Sequence, residues 1–194
     1  MPTAHAHHAM GGTAPGTLFE GLVSGVAHPF IGPDHFFFLV VVGMLLAFQR
    51  LRHRLLAVCA LSGGLLTGVL AAVAGLVLPL ADIACVLTLI GIGVAAVSTR
   101  DMGPGPLAAT AGLAALFHGV AFANAILGAE STPLVAYLSG LSLTAGVLVL
   151  GVGVLVSTLA TGFDRSFPRQ SRRWAGIAAL TIGHLMLLQS LAGI

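Results

Sequence analysis

Long apolar stretches alternate with short polar segments along most of this 194-residue chain. A helix needs roughly 20 apolar residues to cross about 30 Å of bilayer hydrocarbon, and the pattern predicts six spans, the third of them short. They are Leu18–Phe48, Leu55–Leu78, Asp82–Ser98, Pro106–Leu127, Pro133–Leu159 and Trp174–Leu191. Because 57% of the residues are hydrophobic and only 7% are charged, we expect an all-α, polytopic membrane bundle.

The first apolar stretch contains the octet HPFIGPDH at residues 28–35. Proline donates no amide hydrogen bond and glycine tolerates unusual dihedral angles, so we expect the helix to be interrupted here. The stretch is too long for one straight crossing and too short for two crossings and a turn. We interpret it as one discontinuous helix, with two half-spans or a re-entrant segment as the alternatives.

All eight basic residues are arginines, and all of them follow odd-numbered spans. They are Arg50, Arg52, Arg54, Arg100, Arg165, Arg169, Arg172 and Arg173. By the positive-inside rule these connections are cytoplasmic, so both termini are expected on the extracytoplasmic side. We divide the chain into an exposed, His-rich tail at residues 1–16 and a single transmembrane domain at residues 17–194.

Three histidines in different spans are predicted to lie at one depth. His28 lies ten residues into the first span, His118 twelve into the fourth and His184 ten into the sixth. At about 1.5 Å per residue, each reaches about the middle of the bilayer. Ionisable groups at that depth normally face the bundle interior, pair with a partner or line a solute path.

Neutral imidazole is the commonest protein ligand for late first-row divalent metals, and a nearby carboxylate adds compensating charge. We therefore predict a midplane metal site formed by His28, Asp34, His35 and His118, with His184 as a secondary candidate. The alternative for each histidine is a hydrogen bond to a neighbouring helix. Asp34 has a second role open to it, which is to cap the helix that begins after the break.

Two groups of residues are candidates for gathering cations outside the membrane. Glu20, Asp82 and Glu130 lie at the predicted outer ends of spans, where they would attract cations, or they are ordinary solvated charges. The tail histidines would capture metal, or they bind it incidentally; they are His5, His7 and His8.

The two cysteines, Cys59 and Cys85, are predicted near opposite membrane surfaces, too far apart for a disulfide. Cys85 falls three residues after Asp82 on one helix face. It is either a soft metal ligand or a buried packing residue, and we favour packing.

The octet closely resembles the signature of the HupE/UreJ family of nickel permeases. A second family element is similar to FHGVA at residues 117–121, and AHAHH at residues 4–8 resembles the histidine-rich start of mature members. The resemblance implies a secondary transporter for a divalent metal, usually nickel and in some relatives cobalt, that supplies hydrogenase or urease maturation.

The family motif positions correspond to His28, Asp34, His35 and His118, and Asp82 stands where relatives typically carry Glu. The chain departs from the family where relatives often have a further His and then a Glu, because those positions are Phe122 and Ala125. This departure removes two potential ligands. Asn124 and Glu130 are secondary candidates for replacing them with oxygen.

We therefore expect a permease rather than an enzyme, importing nickel across the bacterial inner membrane, with cobalt the next expectation and copper, zinc or iron as alternatives. The expected partners are the bilayer and the ion, and no nucleic acid. The sequence contains no phosphate-binding loop and no His-Glu-x-x-His motif, which argues against nucleotide-driven transport and proteolysis. Two alternatives of another class remain: a haem- or metal-binding redox module, or a metal-dependent membrane hydrolase with Asp34 as its base.

Overall fold

The computed structural model describes residues 14–98, 102–163 and 166–192. These residues form α-helices with no strand, as the sequence predicts. The helices are α1 Leu18–Ile31, α2 Pro33–Leu46, α3 Leu51–Val73, α4 Ala81–Val97, α5 Pro104–Phe122, α6 Ser131–Leu159 and α7 Phe167–Ala192, with single 3-10 turns at Ala123–Ala125 and Ala160–Gly162. Five residues named above lie outside the described ranges: His5, His7, His8, Arg100 and Arg165.

Four of the described helices, α3, α5, α6 and α7, are long and apolar enough to cross a membrane. The α1 and α2 helices together would make a fifth span, and α4 is a shorter apolar helix of 17 residues. The helices follow the predicted apolar stretches in order. Six crossings and outward-facing termini stay predictions.

The interruption expected in the first stretch is present at Gly32. It separates α1 from α2, which are bent by 79° relative to each other. Pro33 is the first residue of α2, where its missing amide hydrogen breaks no helical hydrogen bond. This geometry is compatible with a broken span and with a re-entrant segment.

Helices approach closely where glycine replaces a side chain at their contacts. The α1 helix packs on α6, and a Cβ at Gly25 would lie 2.2 Å from the carbonyl oxygen of Tyr137. The α3 helix packs on α5, and a Cβ at Gly64 would lie 2.1 Å from the carbonyl oxygen of Gly112. Such close contacts allow extensive van der Waals packing between membrane helices.

The α2 helix occupies the centre of the bundle, where it contacts α4, α6 and α7. Its residues Val41 and Val42 are completely buried. The residues that follow Gly32 therefore enter the protein interior rather than lipid, so this arrangement places the polar start of α2 among other helices.

Candidate metal site

Three buried side chains from three helices meet near the beginning of α2. They are His35 on α2, Cys85 on α4 and His118 on α5, and we call them the central cluster. One candidate ligand atom from each residue lies within 4.8 Å of the others. Imidazole and thiolate are both common ligands for late transition metals, so the central cluster is a chemically reasonable metal site.

The two histidines of the central cluster are in direct contact. Nδ1 of His35 lies 2.7 Å from Nδ1 of His118, which is a hydrogen-bond distance. The carboxylate of Asp34 lies close to this pair, with Oδ2 3.5 Å from Nδ1 of His35. Asp34 and His118 are also buried, at 5% and 1% exposure. A carboxyl group is therefore available next to two imidazoles in the interior.

The break at Gly32 leaves room for this arrangement. A Cβ at Gly32 would lie 2.6 Å from Cδ2 of His35 and 2.8 Å from Oδ1 of Asp34. The backbone angles of Gly32 are φ −94° and ψ 123°, which most residues can adopt. The glycine is therefore needed for space at the site rather than for unusual dihedral angles.

Thr88 on α4 determines which ring nitrogen of neutral His118 carries the free lone pair. Its hydroxyl donates to the carbonyl oxygen of Cys85 at 2.7 Å. The hydroxyl oxygen of Thr88, Oγ1, also lies 2.9 Å from Nε2 of His118. Since the hydroxyl has only one hydrogen, Nε2 must be the donor in the second contact. A neutral His118 then carries its lone pair on Nδ1, which faces His35.

Aromatic rings surround the central cluster. Phe38 stacks on His118 with ring centroids 4.4 Å apart, and Phe122 packs edge-on against His35 at 4.3 Å. The hydroxyl of Tyr137 donates to the carbonyl oxygen of Phe122 at 2.9 Å. These contacts hold the rings in place and keep the site apolar apart from its ligand atoms.

A family model described as HupE / UreJ protein matches residues 1–186, nearly the whole chain. This chain belongs to the HupE/UreJ family. Members of the family are nickel or cobalt transport proteins or accessory membrane proteins, not catalytic enzymes. No curated protein and no solved structure matches the chain. The family resemblance expected from the octet is confirmed.

The fourth predicted site residue of this HupE/UreJ protein, His28, lies close to the central cluster but outside it. Its side chain is buried, with the ring centroid 6.5 Å from that of His35. Phe122 contacts His28 at 4.7 Å between centroids, and Tyr137 contacts it at 5.9 Å. His28 therefore shares the aromatic surroundings of the central cluster from a neighbouring position.

The sixth-span candidate His184 is not brought to the central cluster. Its side chain is exposed on α7, and Nδ1 lies 2.7 Å from the carbonyl oxygen of Leu180 in the same helix. Counting residues from a span end estimates the depth of a side chain but not its direction around the helix axis. The expected depth of His184 was therefore insufficient to place it with the other imidazoles.

The oxygen-bearing candidates also lie outside the central cluster. Glu20 forms a capping box with Thr17, since Oε2 accepts from the Thr17 amide at 3.2 Å. Asp82, Asn124 and Glu130 are exposed. None of these side chains contributes to the central cluster within the described part of the chain.

Two residues of this site were not among the predicted site residues. The sequence favours packing as the role of Cys85, and it gives no signal for Thr88 alone. They are three positions apart on α4, which places them on one helix face. That spacing was the available signal, but it could not show that this face of α4 meets His118.

Proposed function

We propose that this HupE/UreJ protein is a secondary permease that imports a divalent transition-metal ion across the bacterial inner membrane. Nickel is the first expected substrate and cobalt the second, with copper, zinc and iron as alternatives. The proposed site contains His28, Asp34, His35 and His118. The observation that supports it is the 2.7 Å approach of the His35 and His118 Nδ1 atoms beside the Asp34 carboxylate.

The chemistry of these residues suits transient binding of a divalent ion. Imidazole nitrogens bind nickel, copper, zinc and iron, and the charge of Asp34 offsets part of the cost of holding an ion in an apolar interior. A small number of protein ligands lets the ion leave again, which transport requires. The break beside Gly32 allows α1 and α2 to move relative to each other while the ion passes.

The proposed path begins at the outer surface. In the predicted topology, Glu20, Asp82 and Glu130 concentrate cations there, and the tail histidines named above assist capture. Surface charges act mainly on the encounter rate and are screened by salt. Replacing Asp82 and Glu130 by their amides should therefore weaken uptake at low ionic strength more than at high ionic strength.

Uptake by proteoliposomes tests the permease proposal directly. Vesicles containing purified protein would be offered nickel, cobalt, copper, zinc and iron separately, and His35→Ala would be compared with the unaltered protein. His184→Ala is the matched control, because it removes an imidazole that is exposed outside the central cluster. Uptake of at least one ion that His35→Ala abolishes and His184→Ala preserves would support the proposal.

Two results would contradict it. One is equal uptake by His35→Ala and unaltered protein. The other is no uptake of any ion by correctly folded, reconstituted protein. In the second case, a Soret absorption band would favour the redox alternative, since haem is the chromophore that gives that band.

A further inference from the structure

Cys85 is a buried nucleophilic side chain that the proposed transport site does not use. It is completely buried on α4, and its sulfur belongs to the set of ligand atoms that lie within 4.8 Å of one another. The other two atoms come from His35 on α2 and His118 on α5. We propose that Cys85 binds the transported ion as a thiolate, an inference that rests on the proposed transport function.

The distances are suitable for a first coordination shell after small side-chain movements. In tetrahedral sites the metal lies about 2.0–2.1 Å from nitrogen and about 2.3 Å from sulfur, so neighbouring ligand atoms are about 3.4–3.6 Å apart. The His35 and His118 nitrogens are closer than this, at 2.7 Å, while the whole set lies within 4.8 Å. Shifts of about 1 Å would therefore bring all three atoms around one ion.

The charges also favour a thiolate. Two neutral imidazoles leave both positive charges of a divalent ion uncompensated in an apolar interior, which is costly. On binding, the Cys85 thiol loses one proton to water and the resulting thiolate forms the metal–sulfur bond. Together with the Asp34 carboxylate, 3.5 Å from His35, this supplies two negative charges for two positive ones.

The hydrogen bonds around Cys85 hold its helix turn beside the imidazoles. Its carbonyl oxygen accepts from Thr88, and Thr88 accepts from His118. The same three residues therefore connect α4 to α5 through a continuous set of hydrogen bonds. This connection fixes the position of the cysteine backbone relative to His118, so the thiol does not depend on a mobile loop to reach the site.

A sulfur ligand defines the class of ion more narrowly than histidine and aspartate do. Thiolates favour softer late transition metals, whereas magnesium, calcium and manganese favour oxygen ligands. The site should therefore bind nickel, cobalt, zinc or copper and discriminate against the oxygen-preferring ions. Cobalt binding should therefore be unchanged in a large excess of magnesium chloride.

Cobalt(II) absorption spectroscopy on the purified full-length protein tests the thiolate. Cobalt–thiolate bonds give intense charge-transfer absorption in the near ultraviolet, and the chain contains only 2 cysteines. Cys85→Ser should abolish this absorption and weaken cobalt binding by at least about tenfold, since even supporting contacts around metal ligands contribute that much. Cys59→Ser, which changes an exposed cysteine on α3, is the matched control and should retain both.

Further variants separate ligand loss from misfolding. Cys85→Ala should have the same effect as Cys85→Ser while introducing no buried hydroxyl, and the thermal unfolding midpoint of each variant would be measured without metal. A folded Cys85→Ala protein that keeps the charge-transfer band and cobalt affinity would overturn the proposal. Loss of the band only in Cys59→Ser would also overturn it.

The absorption spectra test the role of Cys85, and the uptake assay tests the permease function, so each can be refuted without the other. Unaltered protein that transports an ion in a His35-dependent manner but shows no thiolate absorption would refute the role of Cys85 and leave the permease intact. Protein that shows Cys85-dependent absorption but transports no ion would refute the permease and support a bound metal at the same residues.

Discussion

Thr88 and His118 form a hydrogen bond of 2.9 Å in which the threonine oxygen accepts from Nε2. The direction follows because the threonine hydrogen is already donated to the carbonyl oxygen of Cys85. Contacts of this kind orient metal-binding histidines and select their tautomer. In the proposed metal site, Thr88 would therefore act on an ion through His118 without being a ligand itself.

Replacing Thr88 by Val, which has nearly the same shape, should lower metal affinity by about tenfold or more. The substitution removes the hydroxyl oxygen that accepts the Nε2 hydrogen. That hydrogen is then no longer fixed on Nε2, away from Nδ1, the nitrogen that faces His35. Titration of purified protein with cobalt or nickel would measure the change. Thr88→Ser keeps the hydroxyl and should retain near-normal affinity; equal weakening by both variants would show that packing, not the hydrogen bond, matters.

Gly32→Ala should reduce metal uptake by at least about tenfold, because misplacement of reacting or binding groups by about 1 Å has effects of that size or larger. The added Cβ would overlap His35 and Asp34, while the backbone of Gly32 is acceptable for alanine. The protein should therefore fold but lose the geometry of its site. Proteoliposome uptake, normalised to folded protein, measures the effect.

The control for Gly32→Ala is Gly63→Ala on α3, where an added Cβ would meet no atom within 4 Å. Gly63→Ala should transport at the normal rate. If Gly32→Ala also transports normally, then the positions of Asp34 and His35 seen here are not those that the ion requires.

The sequence predicts a metal site around the octet, and the structure brings Asp34 and His35 of the octet beside His118. The sequence does not give the direction of every side chain. His28 and His184 each lie ten residues into a predicted span, yet the first is buried and the second is exposed. Small buried residues on α7, at Gly176, Ala179 and Gly183, mark the face that packs inside the bundle. His184 is one position beyond Gly183 and so points about 100° away from that face.

The positions of the helices along the sequence are easier to predict than which helices pack together and which faces they present to each other. Apolar length identifies a span because the bilayer has a fixed thickness. The meeting of Cys85 with His118 depends on how α4 is rotated beside α5, and uniformly apolar helices carry little amphipathic signal to fix that rotation. Glycine pairs gave a partial indication, since Gly25 lies at the contact between α1 and α6.

Gly25→Ala should destabilise the protein by about 1–3 kcal/mol, the usual cost of overpacking a well-packed interior. The new Cβ would lie 2.2 Å from the carbonyl oxygen of Tyr137, which is backbone and cannot rotate away. The thermal unfolding midpoint in detergent should fall. Gly151→Ala on α6 has no atom within 4 Å of its added Cβ and should not lower it; similar decreases for both would exclude the close contact as the cause.

His28→Ala should reduce uptake while leaving the cobalt–thiolate absorption in place. The reason is the separation of 6.5 Å between the ring centroids of His28 and His35, with Phe122 packed against both. At this separation we expect His28 to contact the ion at a neighbouring point of the proposed path, outside the coordination shell proposed for His35, Cys85 and His118. Uptake rates and cobalt spectra would be measured on the same preparation.

His28→Gln is the matched variant, because glutamine keeps a polar group that can form a hydrogen bond or bind metal at nearly the same position. It should recover part of the uptake that His28→Ala loses. A His28→Ala protein that loses the thiolate absorption would place His28 in the same coordination shell as Cys85. Unchanged uptake by His28→Ala would show that the ion does not use His28, even though this side chain is buried beside the central cluster.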